Sequence, residues 1–123
     1  MNRNITHGAP SWFEYVGPNP AEARKFYTDV LDWSVADMPM ADGSSYGRLE
    51  VADEPVGGFS PNPAPRAGWI GYITVDDVDT RFRRAVEHGA KPLVEPFDAP
   101  GVGRMCHLTD PSGAAIAFIT YAH

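Results

Sequence analysis

The stretch IGYITVDDVD, Ile70–Asp79, joins an aromatic-containing strand directly to the acidic start of a helix. It has a counterpart in WFEYV, Trp12–Val16, which is also followed by a turn and an amphipathic helix. Both successions close on a strand of small residues, VGGF (Val56–Phe59) and AIAF (Ala115–Phe118), at an offset of 58 or 59 residues. A repeat of this length cannot bury its apolar face alone, so the two copies must pair. The groove between them is the expected ligand site.

Each copy predicts the element order βαβββ, and the chain is therefore expected to have an α+β fold. A length of 123 residues suits one domain, residues 1–123, with modules at about 10–60 and 69–121. The proline-rich stretch SPNPAPRAG, Ser60–Gly68, favours an extended connection between the modules.

The two helices have sequence signals at their ends. The first is predicted over Pro20–Leu31, where proline suits the first turn and apolar residues recur at spacings of three and four. The second begins with an acidic cap within residues 76–79 and ends before Gly89. A strand is predicted near Pro92–Glu95, and DPSG, Asp110–Gly113, predicts a hairpin turn before the last strand.

Composition excludes several classes of protein. The formal net charge of −6 argues against a nucleic-acid partner. No apolar run approaches the ~20 residues that span a bilayer, and the N-terminal ten residues lack the apolar region of a signal peptide. The one cysteine, Cys106, cannot form an intrachain disulfide. We therefore expect a cytoplasmic protein with no membrane partner.

The chain contains several short motifs in sequence: Phe26 and Tyr27 with VLDW (Val30–Trp33), VDDVD (Val75–Asp79) and DPSG before the last strand. In this order they resemble those of the vicinal oxygen chelate superfamily, which includes glyoxalase I, bleomycin resistance proteins and extradiol dioxygenases. The WFE opening and the segment PGVGRM, Pro100–Met105, look like the glyoxalase-related or hydroxylase-like subgroup. The resemblance implies that the two modules form a curved, bowl-like mixed sheet with helices on its convex face.

Metal-dependent members of that superfamily bind one divalent ion through two residues of each module. The equivalent positions in this sequence are Trp12, Gly58, Ile70 and Ala117. None of these side chains carries a donor that binds a hard or borderline cation. The sequence therefore predicts the scaffold without its metal, and no cofactor.

Side chains alternate between the faces of a strand, so placing those four positions inside the bowl also places their neighbours. The predicted pocket is lined by aromatic, small and a few polar residues: Trp12, Glu14, Tyr46, Arg48, Gly58, Ile70, Tyr72, Met105, Ala117 and Ile119. Gly58 and Ala117 are expected to leave room for a ligand. Cys106 has the opposite parity and is expected to be a small buried apolar residue.

Glu14 and His107 are the candidate catalytic residues. A carboxylate among aromatic rings suits a general acid or base. The structural alternative is that Glu14 pairs with Arg48 or Arg104, and that His107 is only a hydrogen-bonded strand residue. Trp12 either stacks on a flat ligand or fills the core.

Two classes of function follow. The first is a metal-free protein that binds a small apolar or aromatic molecule in the bowl, as resistance proteins of the superfamily do. The alternative is a lyase, isomerase or hydroxylase-like enzyme acting on a small carbonyl or aromatic metabolite, through Glu14 assisted by Tyr72 or His107, or through an atypically bound metal. A third possibility is half of a regulatory or interaction module. A homodimer is expected, because two-fold pairing covers strand edges and apolar surface.

Overall fold

The computed structural model describes residues 1–122 and has the predicted α+β fold. The chain divides into two compact units, the first made of residues 12–70 and the second of residues 1–11 and 71–123. Each unit combines one helix with a mixed sheet in the order βαβββ, which confirms the predicted repeat. No helix among the described residues is long and apolar enough to cross a membrane.

The elements of the first unit begin with a strand whose first two residues belong to the second unit. They are β1 (Pro10–Val16), α1 (Pro20–Leu31), β2 (Ser34–Pro39), β3 (Ser45–Val51) and β4 (Glu54–Phe59). Strand β1 runs parallel to β4, β4 pairs antiparallel with β3, and β3 pairs antiparallel with β2.

The second unit repeats this arrangement. Its elements are β5 (Gly68–Thr74), α2 (Val78–Glu87), β6 (Lys91–Ala99), β7 (Gly103–Thr109) and β8 (Ala115–Tyr121). Strand β5 runs parallel to β8, β8 pairs antiparallel with β7, and β7 pairs antiparallel with β6. Strand β6 is longer than predicted and its register shifts twice.

Side-chain caps hold the start of both helices. The Asn19 side chain accepts a hydrogen bond from the backbone N–H of Glu22 at 3.1 Å, and Pro20 occupies the first turn of α1. In α2 the cap is Asp77, which accepts from the backbone N–H groups of Asp79 and Thr80. These bonds satisfy amides that the helices themselves leave without an acceptor.

An aromatic cluster forms the helix side of the first sheet. Phe13 stacks on Trp69 with ring centroids 4.4 Å apart, and Tyr27 of α1 stacks on Trp33 at 5.5 Å. The Trp69 indole N–H donates to the Tyr27 hydroxyl at 3.2 Å. Because Phe13 points toward α1, its neighbours in β1, Trp12 and Glu14, point to the opposite face.

An aliphatic core takes the same place in the second unit. Val75, Val78, Cys106 and Leu108 are buried together, and Phe82 of α2 packs against them. As expected, Cys106 is a buried apolar residue. Its position on the helix side leaves the neighbouring His107 on the other face of β7.

The apolar stripe of α1 is buried only in part. Phe26, Val30 and Leu31 are 57%, 59% and 49% exposed. Only the part of the stripe at Ala23 and Tyr27 is half-buried. An exposed row of three large apolar side chains on one helix is unusual for a monomer's surface.

Candidate functional site

Each sheet has a face that points away from its helix, here called the helix-free face. In the first unit Glu14, Gly58 and Arg48 lie side by side in register across β1, β4 and β3. Residues in register on adjacent strands share a face. The register between β3 and β4 shifts only after Leu49, so the shift does not change the face predicted for Arg48.

The second unit carries an equivalent row. Tyr72, Ala117 and His107 lie in register across β5, β8 and β7. The repeat thus places chemically different residues at matching positions, with a carboxylate and a guanidinium in the first row and a phenol and an imidazole in the second.

A chain of hydrogen bonds lies on the helix-free face of the first unit. The Trp12 indole N–H donates to the Tyr46 hydroxyl at 3.2 Å. The Tyr46 hydroxyl in turn donates to Oε2 of Glu14 at 2.9 Å. All three side chains are half-buried, so the Trp12–Tyr46–Glu14 chain holds a carboxylate beside two aromatic rings at a partly accessible position.

The space above Gly58 is filled by Tyr46. A Cβ atom built on Gly58 would overlap the hydroxyl and ring carbons of Tyr46. The glycine therefore admits a phenol ring of the protein itself, and the room expected at this position is occupied. Ala117, at the equivalent place in the second unit, is fully buried.

The two arginines considered as partners of Glu14 pair with other carboxylates. Arg48 donates twice to Glu50, at 3.0 and 2.7 Å. Arg104 forms a two-point bond with Asp79 of α2, at 2.7 and 2.9 Å, and this ion pair lowers the pKa of Asp79. Arg104 thus ties β7 to α2 on the helix side of the sheet.

Tyr72 and His107 contact each other in the second unit. The Tyr72 hydroxyl lies 3.2 Å from Nε2 of His107, and the two rings meet edge to face. Burial lowers the pKa of His107, which favours the neutral form of its imidazole. The predicted pocket residues around this pair, Met105, Ala117 and Ile119, are buried.

Ile70 belongs to the first unit and is half-buried. Its neighbour Trp69 lies in the helix-side cluster, so alternation along β5 points Ile70 to the helix-free face.

A buried polar network in the second unit was missed by the sequence interpretation. The Thr74 hydroxyl lies 2.8 Å from Oγ of Ser11, and Ser11 lies 2.8 Å from the Tyr121 hydroxyl. Thr74 also donates to the backbone carbonyl of Arg3 at 2.6 Å. Burial raises the pKa of Tyr121, and the Ser11 hydrogen bond opposes that shift. Strand parity places Thr74 and Tyr121 on one face, but their partner Ser11 has no sequence signal.

Comparison with protein families identifies the fold. The family model described as Glyoxalase/Bleomycin resistance protein/Dioxygenase superfamily matches residues 9–118. The chain belongs to this superfamily.

Two proteins of similar sequence agree with that assignment. The Mycobacterium tuberculosis protein named "Putative glyoxylase CFP32" is 35% identical over 115 residues, covering 89% of this chain and 44% of the relative. The Streptomyces peucetius "Anthracycline biosynthesis protein DnrV" is 33% identical over 126 residues, covering 89% and 46%. The chain thus spans less than half the length of these curated relatives.

A solved structure shares the fold at lower sequence similarity. Methylmalonyl-CoA epimerase from Mycobacterium tuberculosis aligns with a TM-score of 0.63 and 15% identity, over 97% of this chain and 92% of that one. At this identity the likeness establishes the fold alone.

The four positions that the resemblance assigns to a metal ion carry no side chain suited to bind one. Trp12, Gly58, Ile70 and Ala117 offer no oxygen, nitrogen or sulfur ligand of the kind that divalent ions require. Across residues 1–122 there is no group of three or more His, Cys, Asp or Glu side chains arranged to hold one. Cys106 adds no ligand or nucleophile, because burial raises its pKa to about 11.

Proposed function

We propose that this superfamily member binds a small apolar or aromatic molecule without a metal cofactor. The observation that carries the proposal is the Trp12–Tyr46–Glu14 chain, which occupies the helix-free face of the first unit where metal-dependent relatives would need ligands. A site of aromatic rings with few polar groups is the usual composition of a small-molecule site.

The side chains of this face suit a planar ligand with an oxygen substituent. The Trp12 indole offers a flat stacking surface. Arg48 is 37% exposed and keeps donors beyond its bond to Glu50, so it can bind a carbonyl or phenolic oxygen at the edge of the same row. A relative is named for anthracycline biosynthesis, and anthracyclines are planar aromatic carbonyl compounds.

Calorimetric titration with emodin, a planar hydroxylated anthraquinone, tests the proposal. We expect saturable binding that Trp12→Phe weakens by about two- to tenfold, the range of one aromatic contact. Trp33→Phe is the matched control, because Trp33 lies in the helix-side cluster and its replacement should leave affinity unchanged. No saturable binding, or equal affinity in both variants, would contradict the proposal.

A second candidate function is acid–base catalysis by Glu14. The hydrogen bond from Tyr46 holds this carboxylate in one orientation, as a general acid or base requires. The reaction class is lyase, isomerase or hydroxylase-like chemistry on a small carbonyl or aromatic metabolite. His107 is the proposed assistant, together with Tyr72, which it contacts.

Deuterium exchange distinguishes catalysis from binding alone. A carbonyl compound that bears an acidic C–H would exchange it in D₂O faster with the protein than without it. Glu14→Gln should reduce this acceleration by ~10²–10⁴-fold while emodin affinity is retained. If Glu14→Gln exchanges at the wild-type rate, or wild type gives no acceleration across a panel of such compounds, the protein acts by binding alone.

We also propose that two copies associate through the exposed face of α1. Phe26, Val30 and Leu31 are the apolar side chains available there. The aligned region covers less than half of each of two relatives, which leaves them length enough for a second such domain, and this supports pairing between copies here. Light scattering should give about twice 13.4 kDa, and Phe26→Glu should return the mass to one chain. Lys25→Glu, at an exposed neighbour, should leave the dimer intact.

A further inference from the structure

The second unit contains a cleft of about 300 Å³ on the helix side of its sheet. Its floor is apolar and consists of Ile73 from β5, Phe118 from β8 and Val75 just after β5. Ala85 of α2 also lines the cleft. This volume is at the lower end of the range for sites that hold small molecules.

Basic side chains surround this apolar floor. Arg81, Arg84, His88 and His7 all line the cleft. Arg81 is already paired with Asp76, at 2.8 and 2.9 Å. His7 is also occupied, because its Nδ1 accepts a hydrogen bond from the backbone N–H of Asp76 at 3.0 Å.

Arg84 is the cation that remains for a ligand. Across residues 1–122 it forms no ion pair within 4.0 Å, and its side chain is exposed at the last turn of α2. His88 follows one turn later at the end of the same helix. The cleft therefore combines an apolar floor with an uncompensated positive charge at its edge, in a protein whose net charge is −6.

We propose that this cleft binds a small amphipathic anion, an aromatic or branched aliphatic carboxylate. The apolar group would lie on Ile73 and Phe118, and the carboxylate would meet the guanidinium of Arg84, which binds such groups in a two-point geometry. An unpaired positive charge beside an apolar surface attracts an anion to this cleft. This site lies in another unit than the Trp12–Tyr46–Glu14 chain and does not depend on the function proposed for that chain.

Titration with naphthoate, followed by amide NMR shifts, tests the proposal. The largest shifts should map to Ala85, His88 and Phe118. Arg84→Glu should weaken binding by about fivefold or more, the scale of one partly exposed ion pair and its reversal. The matched control is Arg83→Glu, which makes the same charge change one residue away at a side chain outside the cleft and should alter affinity less than about twofold.

Two further measurements keep the test decisive. Naphthamide, the neutral analogue, should bind about fivefold more weakly than naphthoate if the carboxylate is recognised. Ala85→Met narrows the cleft with a good helix former and should abolish binding without loss of the fold. Shifts that map to Trp12 and Tyr46, equal effects of Arg84→Glu and Arg83→Glu, or the absence of saturable shifts would each overturn the proposal. Emodin affinity reports separately on the proposed function.

Discussion

Replacing Gly58 with alanine should displace Tyr46. The added methyl group would occupy space now taken by the phenol ring, so either the strand shifts or the ring turns away. Turning the ring breaks its hydrogen bonds to Trp12 and Glu14. A single methyl group near the end of β4 would thereby break the Trp12–Tyr46–Glu14 chain on the helix-free face.

The size of the effect follows from these contacts. Overpacking a filled position costs about 1–3 kcal/mol. If the Tyr46 ring moves instead, the overpacking is relieved and the cost is the loss of its two hydrogen bonds, about 1–3 kcal/mol together. Removing a glycine from a strand returns about 0.5–1 kcal/mol. The net fall in the free energy of unfolding is therefore at most about 2.5 kcal/mol.

Urea unfolding of a double-mutant cycle measures this coupling. Gly58→Ala should be costly in the wild type and nearly free of cost in the Tyr46→Ala background, where no ring opposes the methyl group. Gly71→Ala is the control, because its Cβ would meet only the Ile116 side chain at 3.6 Å, an ordinary contact. Equal costs for Gly58→Ala and Gly71→Ala, or no coupling with Tyr46, would refute the reasoning.

Three other predictions concern ionisation, reactivity and metal content. Burial lowers the pKa of His107, so folding favours its neutral form. The stability that this residue contributes is fully present above the pKa of the unfolded state, about 6.5. As the pH falls toward the pKa of the folded state, that stability is lost by at most about 1.4 kcal/mol per pH unit. Chemical unfolding at several pH values should show a shallower decline for His107→Asn than for wild type. The Cys106 thiol is fully buried with a pKa raised to about 11, so a thiol reagent at pH 8 should label it only after denaturation; rapid labelling of native protein would contradict this burial. Elemental analysis should find far less than one divalent ion per chain. A stoichiometric ion whose removal by a chelator abolishes emodin binding would contradict this, and would show that residues other than Trp12, Gly58, Ile70 and Ala117 bind a metal.

The repeat and the helices could be predicted because their signals are local. Asn19 and Pro20 fix the start of α1, and the helix covers the predicted range Pro20–Leu31. Strand β6 was predicted too short, because KPLVEPFDA does not alternate regularly and two register shifts adjust it to β7. Local patterns contain no information on such shifts, which depend on the neighbouring strand.

The faces of the candidate residues followed from strand parity, but their partners did not. Glu14 and His107 lie on helix-free faces, as alternation predicts. The choice of Glu50 by Arg48, and of Glu14 by Tyr46, depends on distances of a few tenths of an ångström between flexible side chains. The contact of Tyr46 with Gly58 could not be predicted either. A glycine in a strand indicates that another group approaches the backbone closely, but the sequence does not identify that group.

The discontinuity of the second unit has a consequence for synthesis on the ribosome. Ser11 bonds with Tyr121, which is separated from it by 110 residues, and Gly8 and Ala9 pair with the backbone of Thr74. At ordinary translation rates Ser11 waits roughly 5–20 s for Tyr121, whereas residues 12–70 are available to fold earlier. Until then the N-terminal segment lacks these partners and stays accessible to proteases and chaperones.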